Sequence, residues 1–323
     1  ILVVIKSVTE IDKLNRVAVK EIYDVTFDVS NREFLHHDIA MVQSSQLEMS
    51  EKIANIFLEA DIYRREFLQI KYLCAGAKGQ SFSMLKYAKE LFEITHEEGL
   101  ARNIIAMLFD RRETDVNAYT PYLSALSNTT NPDYCMAMAS AMLRLGKNEE
   151  ADLYAYKSLY YLNDLEDYEI YKGYFGYYHQ NQNRYQGDCK LQCVKGNSVV
   201  TLEKNSQGDE QAPTMITLCL DSESEFSDVH NISMGVRHVP ASSSLYLKIL
   251  GSGMQQVLKI DGINYKIVDI RSRIDYAAGF IYGKIKSHPE KFNGTVFVLT
   301  AEKPEELIGK IKSMTDRSER IET

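Results

Sequence analysis

From residue 34 to about residue 185 the apolar positions recur at helical spacing. Ile53, Ile56, Phe57 and Ala60 form one such stripe, and Leu85, Ala88, Leu91 and Phe92 another. Only Pro121 and Pro132 interrupt this stretch, and its last third is dense in tyrosine: Tyr154, Tyr156, Tyr160, Tyr161, Tyr168, Tyr171, Tyr174, Tyr177 and Tyr178. After Val194 the texture changes to short β-branched runs separated by Gly, Asn and Ser. Strands are predicted over 198–203, 214–220, 232–239, 256–260 and 264–270. They are broken by Gly208-Asp209, the acidic stretch Asp221–Asp228, and Asp261-Gly262. One short helix, Ser242–Leu250, follows Pro240, with Ser242 or Ser243 as N-cap and Leu245, Tyr246 and Ile249 as its apolar face. The boundary between the two textures lies in Gln186–Lys195.

The helical part has an internal period. Cys135–Leu162 reads as two helices around a Gly146-Lys147-Asn148 turn. Small residues (Ala139, Ala151, Ser158) stand where the helices must approach closely, and Met142, Leu143, Tyr154 and Leu159 fill the space between. The turn recurs: Gly79 lies 146 − 79 = 67 residues upstream, and Arg112 stands 112 − 79 = 33 and 146 − 112 = 34 residues from its neighbours. Gln180–Asn183 and Gln43-Ser44-Ser45 continue the phase. The unit resembles the tetratricopeptide repeat, whose period is about 34. That resemblance implies a stack of helical hairpins whose curved concave face holds a protein partner.

The later elements carry Gly196, Ser198, Val199 and Leu202 in an opening strand, Ser243, Leu245, Leu250 and Gly251 in a helix and turn, and Tyr265, Ile267 and Ile270 in a closing strand. Over about 75 residues this pattern resembles the C-terminal domain of the Gre family of transcript cleavage factors. The resemblance implies an FKBP-like α+β fold and docking on RNA polymerase through Ser243–Gly251. Leu245 and Ile249 are expected to face the core, with Ser243, Tyr246, Lys248 and Gly251 as partner-binding positions and Tyr246 and Lys248 facing outward. Two departures limit it. Leu245–Ile249 replaces the family's basic, alanine-rich stretch, and the acidic-tipped coiled-coil hairpin that carries its cleavage activity has no counterpart among the repeats. Beyond this domain, Ile274–Lys286 reads as an amphipathic helix, Thr295–Thr300 as a strand and Pro304–Met314 as a helix.

Composition narrows the classes. With 45% hydrophobic and 25% charged residues the chain has the make-up of a folded protein. A net charge of −8 disfavours direct nucleic-acid binding as the main task. No run approaches the roughly 18 apolar residues of a membrane span. Ile1–Val8 is too short for a signal-peptide apolar region, and five scattered cysteines fit a reducing cytoplasm.

Local chemistry is sparse. Cys189 and Cys193 would need two further ligands to hold zinc, with His179 the nearest candidate, and are expected to be metal-free. His36-His37-Asp38 lacks a partner cluster. Gly251-Ser252-Gly253 lacks the flanking strand and helix of a phosphate loop and reads as a turn. Asp221–Asp228 lacks the glycine and alternation of a calcium loop and reads as a solvated loop. Ile1–Arg16 resembles the strand-to-helix entry of PIN-type nucleases, with Glu10 and Asp12 at the metal-binding positions, but the other acidic strand ends do not follow.

The expected organisation is α+β multidomain. Residues 1–33 form a strand–helix lead-in, readable as the end of an upstream domain. Residues 34–190 form the all-α repeat array, 195–270 the Gre-like domain and 271–323 an α/β extension. The expected function is a non-catalytic protein-interaction scaffold, without cofactor, docking on RNA polymerase. The alternative is the regulatory end of a longer PIN-type nuclease.

Overall fold

The structure, a computed structural model, describes residues 16–35, 44–164, 166–185, 191–204, 214–222, 226, 230–231 and 234–292. Among the described residues ten helices come first: α1 (Arg16–Leu35), α2 (Ser44–Glu59), α3 (Arg64–Ala77), α4 (Ser81–Thr95), α5 (Glu98–Asp110), α6 (Val116–Ala125), α7 (Pro132–Arg144), α8 (Asn148–Tyr160), α9 (Tyr168–Gln180) and α10 (Gln182–Tyr185). An α+β part follows. It comprises β1 (Ser198–Lys204), β2 (Met215–Asp221), β3 (His230–Asn231), β4 (Val236–Pro240), α11 (Ser244–Ile249), β5 (Val257–Ile260), β6 (Ile263–Ser272) and α12 (Arg273–Ser287), then a 3₁₀ turn at Pro289–Phe292. Helical repeats followed by an α+β domain are therefore what the chain forms. No described helix is long and apolar enough to cross a membrane.

The repeat is visible in backbone and burial alike. Hairpin-opening helices α3, α5 and α7 start at 64, 98 and 132, steps of 98 − 64 = 34 and 132 − 98 = 34. Three hairpin turns close in the same way, with a left-handed residue at Gly79 (φ 65°), Arg112 (φ 56°) and Gly146 (φ 73°). In each, the next amide reaches back to an orphan carbonyl: Gln80 N to Ala75 O at 2.8 Å, Glu113 N to Leu108 O at 3.0 Å and Lys147 N to Met142 O at 2.9 Å. This double closure satisfies the last carbonyls of a helix before it reverses. Arg112 adopts at its turn the left-handed conformation that glycine takes without strain. Of the outer turns in phase, Asn181 separates α9 from α10, Ser44 and Ser45 already belong to α2, and Gln43 lies outside the described residues. Buried positions recur with the same step, as Phe67/Ala101/Cys135, Ile70/Ile104/Met138 and Cys74/Leu108/Met142. Ala139, Ala151 and Ser158 are completely buried, as close helix approach requires.

The chain divides into two compact units, one of Ile1–Thr130 with Ala137–Ala151, the other of Asn131–Met136 with Asp152–Thr323. In the first, α3 packs on α1, α2 and α4, around a core with Phe57 stacked on Phe67 at 4.2 Å. A buried cation is matched there: Glu51 takes Lys71 Nζ and Lys78 Nζ, each at 2.6 Å. Burial alone would raise the Glu51 carboxyl; the hydrogen bonds from Lys71 and Lys78 outweigh it and hold the group below its usual range.

The second unit carries a six-stranded sheet in the order β3-β4-β2-β1-β6-β5, with β2 and β4 parallel and the other pairs antiparallel. Strand alternation gives the sheet two faces. Val200, Leu202, Leu218, Leu220, Val239, Ile267 and Ile270 pack with Tyr246 and Ile249 of α11. The other face carries Val199, Cys219 and His238, and α12 reaches it through Arg273 and Tyr276. Ser272 caps α12 by accepting from Asp275 N at 3.1 Å. Three tyrosines of α9, Tyr174, Tyr177 and Tyr178, spend their hydroxyls within this unit. Tyr174 donates to Ile274 O at 3.2 Å and Tyr178 to Asp275 Oδ1 at 3.0 Å. Asp152 accepts from Tyr177 at 2.5 Å and Tyr185 at 2.6 Å, and pairs with Arg184 at 2.9 Å. Helical texture thus runs to Tyr185, while compactness changes at Asp152.

In the extension, the expected 274–286 helix is α12, one residue longer at each end, and the 3₁₀ turn Pro289–Phe292 follows it. The strand at 295–300 and helix at 304–314 lie outside the described residues.

Candidate functional site

Two places gather chemistry. The first is a closed polar centre in the second unit. Cys219 and Asp221 alternate on β2 and so share a face, and the parallel register sets His238 of β4 beside Cys219. Asp221 Oδ2 lies 2.6 Å from His238 Nδ1, and its Oδ1 accepts from the Cys219 thiol at 3.3 Å and from Arg273 Nη1 at 3.5 Å. A carboxylate there places the imidazole proton on Nδ1, leaving Nε2 to accept from the Tyr156 hydroxyl at 3.4 Å. Phe226 stacks on His238 at 5.3 Å, and the Arg273 guanidinium lies over the Tyr156 ring at 4.8 Å and the Phe226 ring at 5.3 Å. Tyr156, Cys219, Asp221 and His238 are completely buried.

One ligand atom each from Cys219, Asp221 and His238 lie within 4.8 Å of one another, close enough to share a metal ion. The donor set fits one poorly. Asp221, the anion of the set, is already matched by the Arg273 cation, so a divalent ion would bring surplus positive charge into a dry site. Nor is it a nucleophile–base relay. The thiol faces Asp221 rather than the imidazole, and burial followed by the Asp221 charge pushes it well above its usual range, keeping it protonated. Burial likewise pushes the Tyr156 phenol far up. The centre holds β2, β4 and α12 to one another.

The second place is a cleft in the first unit. Arg65, Gln69, Tyr72 and Leu73 of α3, Leu91 and Thr95 of α4, Glu97, and Leu100 of α5 enclose about 130 Å³. Three leucines form its apolar lining. Gln69 Oε1 accepts from Tyr23 at 3.2 Å, and the Tyr72 hydroxyl accepts from Asn103 Nδ2 at 3.4 Å. Arg65 and Glu97 pair across the solvent-exposed rim at 2.7 Å. Gln69 and Asn103 are equivalent by the repeat, 103 − 69 = 34, and the next equivalent position is Ala137.

The predicted docking segment keeps its helix but not its outward anchor. Ser243 caps α11 by accepting from Leu245 N, and Gly251 turns the chain at φ 80° while donating to Val194 O at 2.9 Å. Tyr246 is 7% exposed and packs with Ile249, whereas Leu245 is half-buried. Three residues span most of a helical turn, so Tyr246 and Ile249 share the inward side. The outward positions are Leu247, 69% exposed, and Lys248.

In the acidic run expected as a solvated loop, Asp221 is buried as the last inward position of β2, and Phe226 is buried against Tyr156, Tyr160 and His238. Cys193 pairs with Gly253 by a backbone bridge, and His179 meets the Tyr282 hydroxyl at 2.8 Å. Gly251–Gly253 forms a turn against Val194. Glu10, Asp12, His36, His37, Asp38 and Cys189 lie outside the described residues.

The buried centre escaped the sequence because nothing local announces a parallel β2–β4 register. Its one signal was Cys219 and Asp221 alternating with Leu218 and Leu220 in β2. Comparison of the chain with known protein families, with curated proteins and with solved structures finds no match.

Proposed function

We propose that this protein is a non-catalytic interaction scaffold whose helical-hairpin array holds a segment of a partner protein. The observation that carries this is the cleft between α3, α4 and α5, an apolar lining under a ring of amide, phenol and paired charges. Such a mixture suits one aliphatic side chain with the peptide backbone that presents it. The tetratricopeptide resemblance points the same way. For the α+β unit, the Gre resemblance supports RNA polymerase as the docking target, and the exposed Leu247 and Lys248 of α11 are the residues proposed to meet it.

The test is a peptide selection on the full chain, repeated on Leu100→Trp, which fills the cleft from a half-buried position. Peptides selected on the native chain should bind the variant at least about tenfold more weakly, or about 1.4 kcal/mol. Peptides indifferent to Leu100→Trp would remove the cleft from the proposal. Failure of the full chain to bind purified RNA polymerase would remove the polymerase part and leave the scaffold.

A further inference from the structure

Hydrogen bonding around the cleft between α3, α4 and α5 is one-sided. Gln69 Oε1 accepts from the Tyr23 hydroxyl at 3.2 Å, and the Tyr72 oxygen accepts from Asn103 Nδ2 at 3.4 Å. Arg102 Nη1 donates to Asn103 Oδ1 at 3.4 Å, which keeps the nitrogen of that amide toward Tyr72. The Thr95 hydroxyl donates to Leu91 O at 3.0 Å and accepts from Glu97 N at 3.3 Å. Each of these oxygens therefore has a donor. The converse fails: among the described residues nothing accepts from the Tyr72 O–H or from Gln69 Nε2.

The imbalance matters because the two sides are not equivalent. An oxygen with one lone pair idle loses little, whereas a donor shut away from water without an acceptor is costly. Tyr72 is 9% exposed. Burial raises its phenol, against the hydrogen bond from Asn103 and the Arg102 charge, so the O–H keeps its proton and remains a donor. Gln69 and Tyr72 stand three apart on α3, neighbours on one helical face, and both line the cleft. A single oxygen with two lone pairs can take a hydrogen from each.

Charge and backbone geometry narrow that oxygen further. Arg65 pairs with Glu97 at 2.7 Å on the rim. Burial, then Glu66 and Asp24, raise the neighbouring Tyr23 phenol, against Arg65. Asp24, Glu66 and Glu97 thus stand against Arg65 and Arg102, with no positive surplus to draw an anion. An ammonium would bring hydrogens to a place already supplied with donors. Carbonyls inside a helix are taken by the amide four residues on, so an available one comes from non-helical backbone. We propose that the cleft takes a main-chain carbonyl from the interior of an extended segment of another protein, received by Tyr72 and Gln69, with the adjoining aliphatic side chain against Leu73, Leu91 and Leu100. This rests on the scaffold reading of the cleft and adds its polarity, a neutral acceptor rather than a chain terminus.

The test selects three peptide libraries, each with one fixed leucine, on the full chain. In the first the peptide is joined to its carrier at both ends. The second ends in a free carboxylate beside the leucine, and the third begins with a free ammonium beside it. Binders should come from the first. Tyr72→Phe keeps the ring and removes its donor; Gln69→Glu keeps an oxygen for Tyr23 and puts an acceptor where the donor stood. Each should weaken the leading peptide about fivefold or more, with circular dichroism unchanged. On the native chain, exchanging a peptide carbonyl oxygen beside the leucine for sulfur, a poorer acceptor, should weaken binding at one position, and this measurement needs no variant to fold. Loss on Leu100→Trp with indifference to Tyr72→Phe, Gln69→Glu and the sulfur exchange would overturn the carbonyl proposal and keep the cleft. Indifference to Leu100→Trp would remove the cleft itself. Binders confined to the second or third library would overturn the proposal by assigning the cleft to a chain end, and binders from none would overturn it together with the scaffold reading of the cleft.

Discussion

Replacing Asp221 by Ala should be among the most damaging single changes in the second unit. The carboxylate accepts from His238, Cys219 and Arg273 at a site without solvent. Its loss leaves the Arg273 cation buried without its anion, which typically costs about 3–5 kcal/mol. The His238 Nδ1 proton would also lose its acceptor, for about 1–3 kcal/mol more. Some relief remains, because Arg273 keeps Asn197 Oδ1 at 3.4 Å and the Tyr156 and Phe226 rings. About 4 kcal/mol is therefore expected, a large share of the roughly 5–15 kcal/mol that holds a typical domain. For a unit of this size that lowers Tm by about 8–16 °C. The assay is calorimetry on native chain, Asp221→Ala, Arg273→Met and the double variant. Removing the stranded cation should recover part of the loss, so the double variant should melt above Asp221→Ala, a coupling of about 2 kcal/mol. A fall below about 4 °C, or a double variant that melts lower than Asp221→Ala, would refute the charge-matching account. If instead the cluster worked through a bound cation, a chelator would lower the native midpoint and Cys219→Ser would reproduce the loss; neither is expected.

Ala151→Leu should overpack the α7–α8 hairpin and cost about 1–3 kcal/mol, and an unchanged denaturation midpoint would count against the helix register. Tyr171 is wholly buried and no described residue offers its hydroxyl a hydrogen bond, so Tyr171→Phe should stabilise by about 1 kcal/mol at neutral pH. Burial, then Tyr168, Asp164 and Asp167, push that phenol up to about 12. A folded pKa above the unfolded value stabilises fully below about pH 10, and that contribution is lost as pH rises toward 12. The advantage of Tyr171→Phe should therefore widen over that window in urea titrations, and a phenylalanine variant less stable than native at neutral pH would contradict it. The chain alone should neither cleave RNA nor stimulate transcript cleavage by a backtracked polymerase; magnesium-dependent cleavage abolished by Glu10→Gln would promote the nuclease reading instead.

Much of the architecture was legible because it rests on local rules. Polar turns one period apart mark hairpins because each pair of helices must reverse within a few residues, and glycine does so without strain at Gly79 and Gly146. Strand positions were legible because β-branched runs between Gly and Asn turns admit few alternatives, and predicted 198–203, 214–220, 256–260 and 264–270 lie within a residue or two of β1, β2, β5 and β6. The predicted strand 232–239 is β4 (Val236–Pro240) entered by a turn at Gly235, φ 67°, with the two-residue β3 (His230–Asn231) before it.

The sites were less legible, and the reason differs for each. The buried centre depends on which strands lie side by side, and alternation along one strand carries no information about its neighbour. Tyr246 went wrong because an aromatic with a polar tip fits either an interface or a core. The decision belongs to Ile249, three residues on, whose complete burial turns that side of α11 toward the sheet. The cleft needed the repeat to be read as geometry rather than as a motif. Its lining comes from Arg65, Gln69, Tyr72 and Leu73 of one helix, Leu91 and Thr95 of the next, and Leu100 of a third. Nothing in the sequence joins these positions. A stack of hairpins does, because it converts separation along the chain into adjacency in space.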